Sequence, residues 1–211
     1  SRHRGVRAVA DIAAYEAEAN PDGGLPDSNP HSVTTRWGKA YVADAGGNSL
    51  LKVSRHGAIS TVAVFPDQPV AAPPGLPPMA QAVPTSVVVG PDGALYVGQL
   101  TGFPFVPGAA NVFRIGKDGT IEVYAGGFTN VTGIDFDRHG RLYVVEFASN
   151  GILSEDPTGA LIRVNPDGSR ETLVSEGLVN PTGVVVGRKG DVYVSNHGAE
   201  AGAGEVLRFR F

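Results

Sequence analysis

One short pattern occurs four times along the chain. In each copy a tight turn is followed by the dipeptide Tyr-Val, and the matching tyrosines lie 55, 47 and 50 residues apart: Tyr41, Tyr96, Tyr143 and Tyr193. Repeats of this length that contain several short strands are typical of propeller blades. A blade is a small sheet that cannot bury both of its faces alone, so the copies have to stack. The sequence therefore predicts an all-β propeller with about four blades in this chain.

Each repeat divides into short segments rich in Val, Ile, Leu, Tyr and Phe, separated by turns that end in glycine. Such segments predict strands and such glycines predict tight hairpins, so each blade is expected to be a four-stranded antiparallel sheet. The blades are predicted at residues 32–65, 86–128, 133–178 and 183–211. Residues 1–211 are predicted to form a single propeller domain. The alternative is that they are part of a six-bladed propeller.

The last repeat ends before a fourth strand. Residues 1–12 resemble residues 54–65, which are predicted to be the last turn and fourth strand of the first repeat. We therefore expect an N-terminal strand at residues 5–12 to pair with the last blade and close the ring, because an unpaired edge invites aggregation. If the ring stays open, the free edge is expected to associate with a missing N-terminal portion or with another chain.

Composition excludes several classes of function. The chain carries a net charge of −4 and its basic residues are scattered, which argues against nucleic acid as a partner. It contains no cysteine, so disulfides and thiolate chemistry are excluded. No apolar run approaches the roughly 18 residues of a spanning helix, so membrane insertion is not expected. The chain opens on a polar stretch in which no signal peptide is recognised, and an exported form would already have lost its leader.

The irregular segments all fall on one face of the predicted propeller, which we call the long-loop face. It carries the loops at 13–30, 66–83, 100–110, 148–159 and 197–204, with a short helix predicted at 13–19, whereas the opposite face has only tight turns. Function is usually carried by loops on a rigid scaffold, so the ligand is expected here. Phe103 and Phe105, which flank a proline, predict an apolar docking patch. The alternative is a loop anchored by its own aromatic rings.

A polar residue follows each repeat tyrosine at the third position: Asp44, Gln99, Glu146 and Asn196. Four equivalent polar groups at the long-loop face predict a ring that binds a ligand. Oxygen ligands suit Ca²⁺, with Asp44, Glu146 and Asn196 as the metal-binding set. The alternative is that each side chain caps a neighbouring loop by accepting hydrogen bonds from backbone NH groups.

His197 is a weak catalytic candidate because it directly follows Asn196 on the same face. A general base needs a partner within reach, and the sequence alone does not show one. The chain has no phosphate-binding loop, His-Glu-x-x-His pair or Gly-x-Ser-x-Gly elbow. No complete catalytic constellation is present, so enzymatic activity stays open.

Several segments together resemble the ScyD/ScyE family of bacterial proteins: PDGGLPDSNPHSV (21–33), YVADAGGNSLLKV (41–53), VPTSVVVGPDGALYVGQLTGFPF (83–105), FTNVTGIDFD (128–137) and SNHGAEAGAGEVLRF (195–209). The Asn-Pro-Thr-Gly-Val and Tyr-Val core is shared more widely with NHL-type propellers. The resemblance implies a secreted or periplasmic protein and a longer propeller with about two more N-terminal blades. It implies no particular activity.

Two functions are consistent with these features. The first is a secreted binding or scaffold protein that uses the long-loop face to bind a protein or a small molecule. The alternative is a Ca²⁺-dependent lactonase-like or lyase-like propeller enzyme, for which the polar ring and His197 would supply the site. Propellers host many unrelated functions, so the fold alone does not decide between them.

Overall fold

The structure, a computed structural model, describes residues 5–211, which form a four-bladed β-propeller as the repeat predicts. An α-helix, α1 (Ile12–Ala19), precedes the first blade. Blade 1 consists of β1 (Pro30–Arg36), β2 (Lys39–Asp44), β3 (Ser49–Val53) and β4 (Ile59–Val64). The loop that follows contains a small hairpin of β5 (Gln68–Pro69) and β6 (Met79–Ala80). Blade 2 consists of β7 (Pro84–Val89), β8 (Leu95–Gln99), β9 (Ala110–Ile115) and β10 (Ile121–Phe128).

Blade 3 consists of β11 (Val131–Phe136), β12 (Leu142–Glu146), β13 (Ala160–Val164) and β14 (Arg170–Val174), with a 3₁₀ turn at Ile152–Ser154 in its long loop. Blade 4 has three strands, β15 (Gly183–Val186), β16 (Val192–Asn196) and β17 (Glu205–Phe209). Neighbouring strands within each blade are antiparallel and follow chain order. The predicted four-stranded sheet is therefore confirmed for blades 1 to 3.

The apolar core lies between the blades rather than inside any one of them. Between blades 2 and 3, Phe128, Leu142 and Val144 are fully buried. The Tyr96 ring of blade 2 lies edge-on to Phe136 of blade 3, with 4.8 Å between the ring centroids. Each strand alternates its side chains between the two faces of the sheet, so every interior blade buries one set against each neighbour. The stacking of the blades therefore supplies most of the apolar burial.

In blades 1 to 3, a β-bulge at the start of the first strand directs one side chain towards the next blade. Register shifts place His31, Thr85 and Thr132 at these bulges, and a bulge re-aims the side chain it carries. Each of the three donates to a backbone carbonyl of the following blade: His31 Nδ1 to Thr85 (2.6 Å), Thr85 Oγ1 to Val131 (2.6 Å) and Thr132 Oγ1 to Pro181 (2.8 Å). We call these contacts the inter-blade latches.

Thr182 occupies the equivalent place just before β15, but its hydroxyl lies 3.1 Å from Ser195 Oγ of its own blade. The latches therefore run in one direction, from blade 1 to blade 4.

The innermost strands β1, β7, β11 and β15 surround a shared central channel of about 290 Å³.

The predicted N-terminal strand at residues 5–12 is wrong. Residues 5–11 form no strand, and α1 begins at Ile12 because Asp11 caps it by accepting a hydrogen bond from Ala14 N. Ala10, Ile12 and Tyr15 pack against the outer face of blade 1, where Tyr15 Oη lies 2.9 Å from Thr61 Oγ1. The apolar side chains of this segment thus cover blade 1 instead of extending blade 4.

The helix predicted at 13–19 is confirmed as α1. No helix within residues 5–211 is long and apolar enough to cross a membrane. Residues 1–4, which belong to the predicted 1–211 domain, lie outside the described residues.

The latches make a testable contribution to stability. Thr132→Val removes the hydroxyl and leaves the buried Pro181 carbonyl without its donor, so we expect the free energy of unfolding to fall by about 1–3 kcal/mol. Urea denaturation measures it. Thr182→Val is the matched control, since its hydroxyl bonds within its own blade, and its loss should stay below about 1 kcal/mol. Equal losses in both variants would show that the latch adds nothing between blades.

Candidate functional site

The four polar residues predicted to form a ring lie at or near the ends of the second strands, as the repeat requires. Asp44, Gln99, Glu146 and Asn196 end β2, β8, β12 and β16, and each is at most 6% exposed. Their equivalent positions place them at the base of the long-loop face. They are buried beneath the loops rather than presented at the surface.

Three of these side chains accept a hydrogen bond from the backbone NH of the connection that enters their own blade. The pairs are Asp44 Oδ1 with Asn29 N (2.6 Å), Glu146 Oε1 with Thr129 N (2.8 Å) and Asn196 Oδ1 with Val179 N (2.7 Å). Gln99 departs from the series, because its Oε1 accepts from Asn111 N at 3.1 Å. The geometry of Asp44, Glu146 and Asn196 is that of loop caps, whereas Gln99 bonds to the start of β9.

Glu146 shows the electrostatic cost of such a position. Burial raises its pKa above the ordinary value of 4.5, although the hydrogen bond from Thr129 N and the positive charge of Arg170 oppose this rise. A raised pKa means that the folded protein favours the protonated carboxyl. Ionisation of Glu146 is therefore less favourable in the folded protein than in the unfolded chain, which lowers the free energy of unfolding at neutral pH.

The polar ring does not fit a shared calcium ion in its present arrangement. The oxygens through which Asp44, Glu146 and Asn196 would bind a metal accept backbone hydrogen bonds instead. Within residues 5–211, no three or more His, Asp or Glu side chains form a group that could hold a metal ion. The calcium site predicted at this ring stays a prediction without support from its geometry.

Phe103 and Phe105 lie together in the loop after β8, with their rings edge-on and 6.1 Å between centroids. Phe103 is 50% exposed, whereas Phe105 is half-buried. Both interpretations of this loop therefore apply in part. The Phe105 ring helps to anchor the loop, whereas the Phe103 ring faces solvent and is available for docking.

Three further apolar side chains on the long-loop face were missed in the sequence. Leu25, Met79 and Leu153 are 83%, 43% and 58% exposed, and each belongs to a different long loop. With Phe103 they give four of these loops an exposed apolar side chain. A single leucine or methionine in a loop does not indicate a binding surface in one sequence. These residues stand out only because the fold places them on the same face.

The long loops are bonded to one another. Gln68 Nε2 of the loop after blade 1 donates to Ala109 O of the next loop at 2.8 Å, and Asn111 Nδ2 donates back to Gln68 Oε1 at 3.1 Å. Asn48 donates to Asp22 and accepts from Val83 N. The loops of blades 1 and 2 thus form a connected platform.

His197 has partners that the sequence could not show. Its Nδ1 lies 3.1 Å from Glu200 Oε2, and its Nε2 lies 3.7 Å from Glu205 Oε1. Both ring nitrogens face carboxylates, and the side chain is partly exposed on the long-loop face. The arrangement orients the imidazole and also ties the loop at 197–204 to β17.

The basic residues are less scattered in the fold than in the sequence. A cavity of about 460 Å³ opens between the short turns of blades 3 and 4, and five basic residues line it: Arg138, Arg141, Arg188, Lys189 and Arg210. Two acidic residues, Asp137 and Asp191, line it as well and bind Arg141 and Arg210. Burial raises the pKa of Asp137, but hydrogen bonds from Arg141 and from His139 N outweigh it and hold that pKa below its ordinary value. Positive charge therefore gathers on the face opposite the long loops.

Comparison with solved structures finds several proteins whose fold is similar to that of this chain. Virginiamycin B lyase from Staphylococcus aureus is similar with a TM-score of 0.54 and 15% identity, over 88% of this chain and 56% of the lyase. A gluconolactonase from Xanthomonas campestris is similar with a TM-score of 0.60 and 15% identity, over 82% of this chain and 54% of the other. The calcium-binding protein regucalcin from Agrobacterium tumefaciens gives 0.54 and 17%, over 84% and 55%.

These similarities define the fold class of the chain and leave its activity open. The chain spans just over half the length of each of the three proteins. It matches no protein-family model and no curated protein. At such low identity only the propeller architecture carries over, so the chemistry has to be argued from this chain's own residues.

The loop-cap role of Glu146 predicts an unusual pH dependence. Glu146→Gln keeps an oxygen that accepts from Thr129 N and removes the buried charge, so at pH 7 we expect its free energy of unfolding to equal or exceed that of the wild type. The raised pKa favours folding below pH 4.5 and this contribution is lost as pH rises through the folded-state pKa, so the difference should shrink in acid. Urea denaturation between pH 4 and pH 8 measures it. A variant clearly less stable than wild type at pH 7 would show that the ionised carboxylate is required.

Proposed function

We propose that this propeller is a binding protein that engages its partner through the long-loop face. The observation that carries the proposal is the set of four exposed apolar side chains, each from a different long loop: Leu25, Met79, Phe103 and Leu153. Exposed apolar groups gathered on one face are typical of interaction sites. The loops are already bonded to one another, so little conformational entropy is lost when a partner binds.

The charge of this face supports a cationic partner. The five long loops contain no lysine or arginine, yet they carry seven acidic residues that are at least partly exposed: Glu18, Asp22, Asp27, Asp67, Glu155, Asp156 and Glu200. A face of one sign attracts ligands of the other sign and speeds their encounter. The partner class is therefore a protein segment or small molecule that combines positive charge with apolar groups. The ScyD/ScyE resemblance supports a secreted or periplasmic location for this binding.

A phage-displayed dodecapeptide library tests the proposal without knowledge of the natural partner. We expect enrichment of peptides that combine lysine or arginine with aromatic or aliphatic residues. Synthetic copies of these peptides should bind the double variant Phe103→Ser, Leu153→Ser about tenfold or more weakly, because exposed aromatic anchors dominate binding energy. Fluorescence anisotropy measures the affinity.

Val123→Ser is the matched control, because Val123 is 61% exposed on β10, outside the long loops. Its affinity for the peptides should equal that of the wild type. Peptides that bind the double variant as tightly as the wild type would refute the long-loop face as the binding site. The same holds if no peptide is enriched above the empty matrix.

The second candidate function is a lactonase-like or lyase-like activity. The observation that favours it is His197, whose imidazole is oriented by Glu200 as a general base would be. Calcium would supply electrophilic activation to such a reaction, but the polar ring offers it no fitting set of oxygens, so no step is derived through it.

A lactone panel, including gluconolactone, separates the two functions. The binding proposal predicts no hydrolysis, with or without added Ca²⁺, that exceeds the rate of the His197→Asn variant. A pH-stat records the acid released. Hydrolysis by the wild type that is lost in His197→Asn would overturn the binding proposal in favour of the enzyme.

A further inference from the structure

A buried carboxylate in the middle of α1 has no hydrogen-bond partner among residues 5–211. Glu16 is the one buried residue of the helix and is 1% exposed. Both carboxylate oxygens are shielded from solvent, and neither accepts a hydrogen bond from the described residues. An isolated buried carboxylate is costly, so natural proteins neutralise it with a proton, a basic side chain or a metal ion.

The carboxylate of Glu16 points towards other acidic groups. A Cβ placed on Gly47 would lie 2.6 Å from Glu16 Oε2, and Gly47 N donates to Asp44 Oδ1 at 3.4 Å. A Cβ placed on Gly46 would lie 2.4 Å from Asp27 Oδ1. The two glycines thus leave room for a group of acidic side chains that any larger residue would fill.

The local charges are unfavourable for an ionised Glu16 alone. Burial raises the pKa of Glu16, and the negative charges of Asp22, Asp44 and Asp27 raise it further. The loop at 13–30, on which Glu16, Asp22 and Asp27 lie, has no lysine or arginine to compensate them. A bound cation would offset the repulsion among these four carboxylates.

A third oxygen, on the residue that caps α1 four positions after Glu16, also lacks a hydrogen-bond partner. Asn20 caps α1 with a left-handed backbone, at φ 38°, and its NH donates to Glu16 O, one helical turn back. Its Nδ2 donates to Gly24 O at 2.9 Å, whereas its Oδ1 is buried without a donor. Within one helical turn, α1 and its C-cap thus carry three buried side-chain oxygens without hydrogen bonds, two from Glu16 and one from Asn20.

We propose that Glu16 and Asn20, with oxygens of the surrounding acidic loop, bind a calcium ion. Ca²⁺ takes six to eight oxygen ligands in flexible geometry and accepts amide and backbone oxygens beside carboxylates. It therefore needs no group of three carboxylates, which residues 5–211 do not supply. Zn²⁺ favours nitrogen and sulfur ligands, and Mg²⁺ demands a stricter octahedron, so an all-oxygen site of mixed character fits calcium best.

The site is distinct from the polar ring and independent of the proposed binding function. Its proposed ligands, Glu16 and Asn20, lie on α1 and at its C-cap. Glu146 and Asn196 of the polar ring are not among them and remain loop caps. The ion would fasten α1 and the loop at 20–29 to the turn after β2, where Asn48 already donates to Asp22 at 3.0 Å. Its expected effect is on stability.

Calcium titration of protein freed of metal tests the proposal. We expect isothermal titration with CaCl₂ alone to give one site per chain. At about a hundredfold excess of Ca²⁺ over its Kd, the melting temperature should rise by roughly 5 to 10 °C. Glu16→Gln should abolish both effects, because the amide removes the charge and one anionic ligand.

Glu18→Gln is the matched control, because Glu18 lies on the same helix but is exposed. It should bind calcium as the wild type does, and so should Glu146→Gln if the ion avoids the polar ring. In calcium-free buffer Glu16→Gln should melt at or above the wild-type temperature, since it removes an uncompensated buried carboxylate.

Asn20→Gly provides a second variant should Glu16→Gln fail to fold, because glycine tolerates the left-handed backbone and removes only the amide. It should weaken calcium affinity about tenfold or more, the effect that loss of one supporting partner has at metal sites. The proposal would be overturned if added calcium left the melting temperature of the wild type unchanged. So would calcium binding that survives Glu16→Gln or that is lost in Glu146→Gln.

Discussion

Blade-to-blade contact is the interaction on which this molecule depends. Each sheet is too small to bury its own faces, so Phe128, Leu142 and Val144 find their apolar surroundings only in a neighbouring blade. The latches add polar contacts to this packing, because each donor lies on a bulge and each acceptor is a backbone carbonyl of the next blade. Loops anchored to such a scaffold inherit its rigidity, and they can differ widely without disturbing the core.

The repeat was enough to predict the fold, because the glycines of the turns and the short apolar segments of the strands recur in every blade. The predicted blade bounds lie within a few residues of the observed ones. The N-terminal strand failed because the similarity between residues 1–12 and 54–65 records a local pattern, whereas Ala10, Ile12 and Tyr15 follow the apolar surface of blade 1. Tertiary packing decided the conformation of that segment.

The candidate site was predicted less well, since equivalence in sequence does not reveal what a side chain binds. Asp44, Glu146 and Asn196 do occupy equivalent buried positions, yet their oxygens meet backbone NH groups that no sequence pattern displays. Nothing in the sequence distinguishes Glu16 from other residues of a short helix, and only the fold shows that it is buried. Burial and unmet hydrogen bonds are properties of the fold, so they became visible only with the structure.

The inter-blade latch also bears on how such proteins can change in length. Each interior blade carries its own donor at the bulge and its own acceptor carbonyl, as Thr85 does for blade 2. A duplicated blade would thus arrive with both halves of the contact already encoded, and its neighbours would need no matching substitutions. Growth by copying whole units is therefore open to this architecture, whereas the loops above remain free to diverge from one copy to the next.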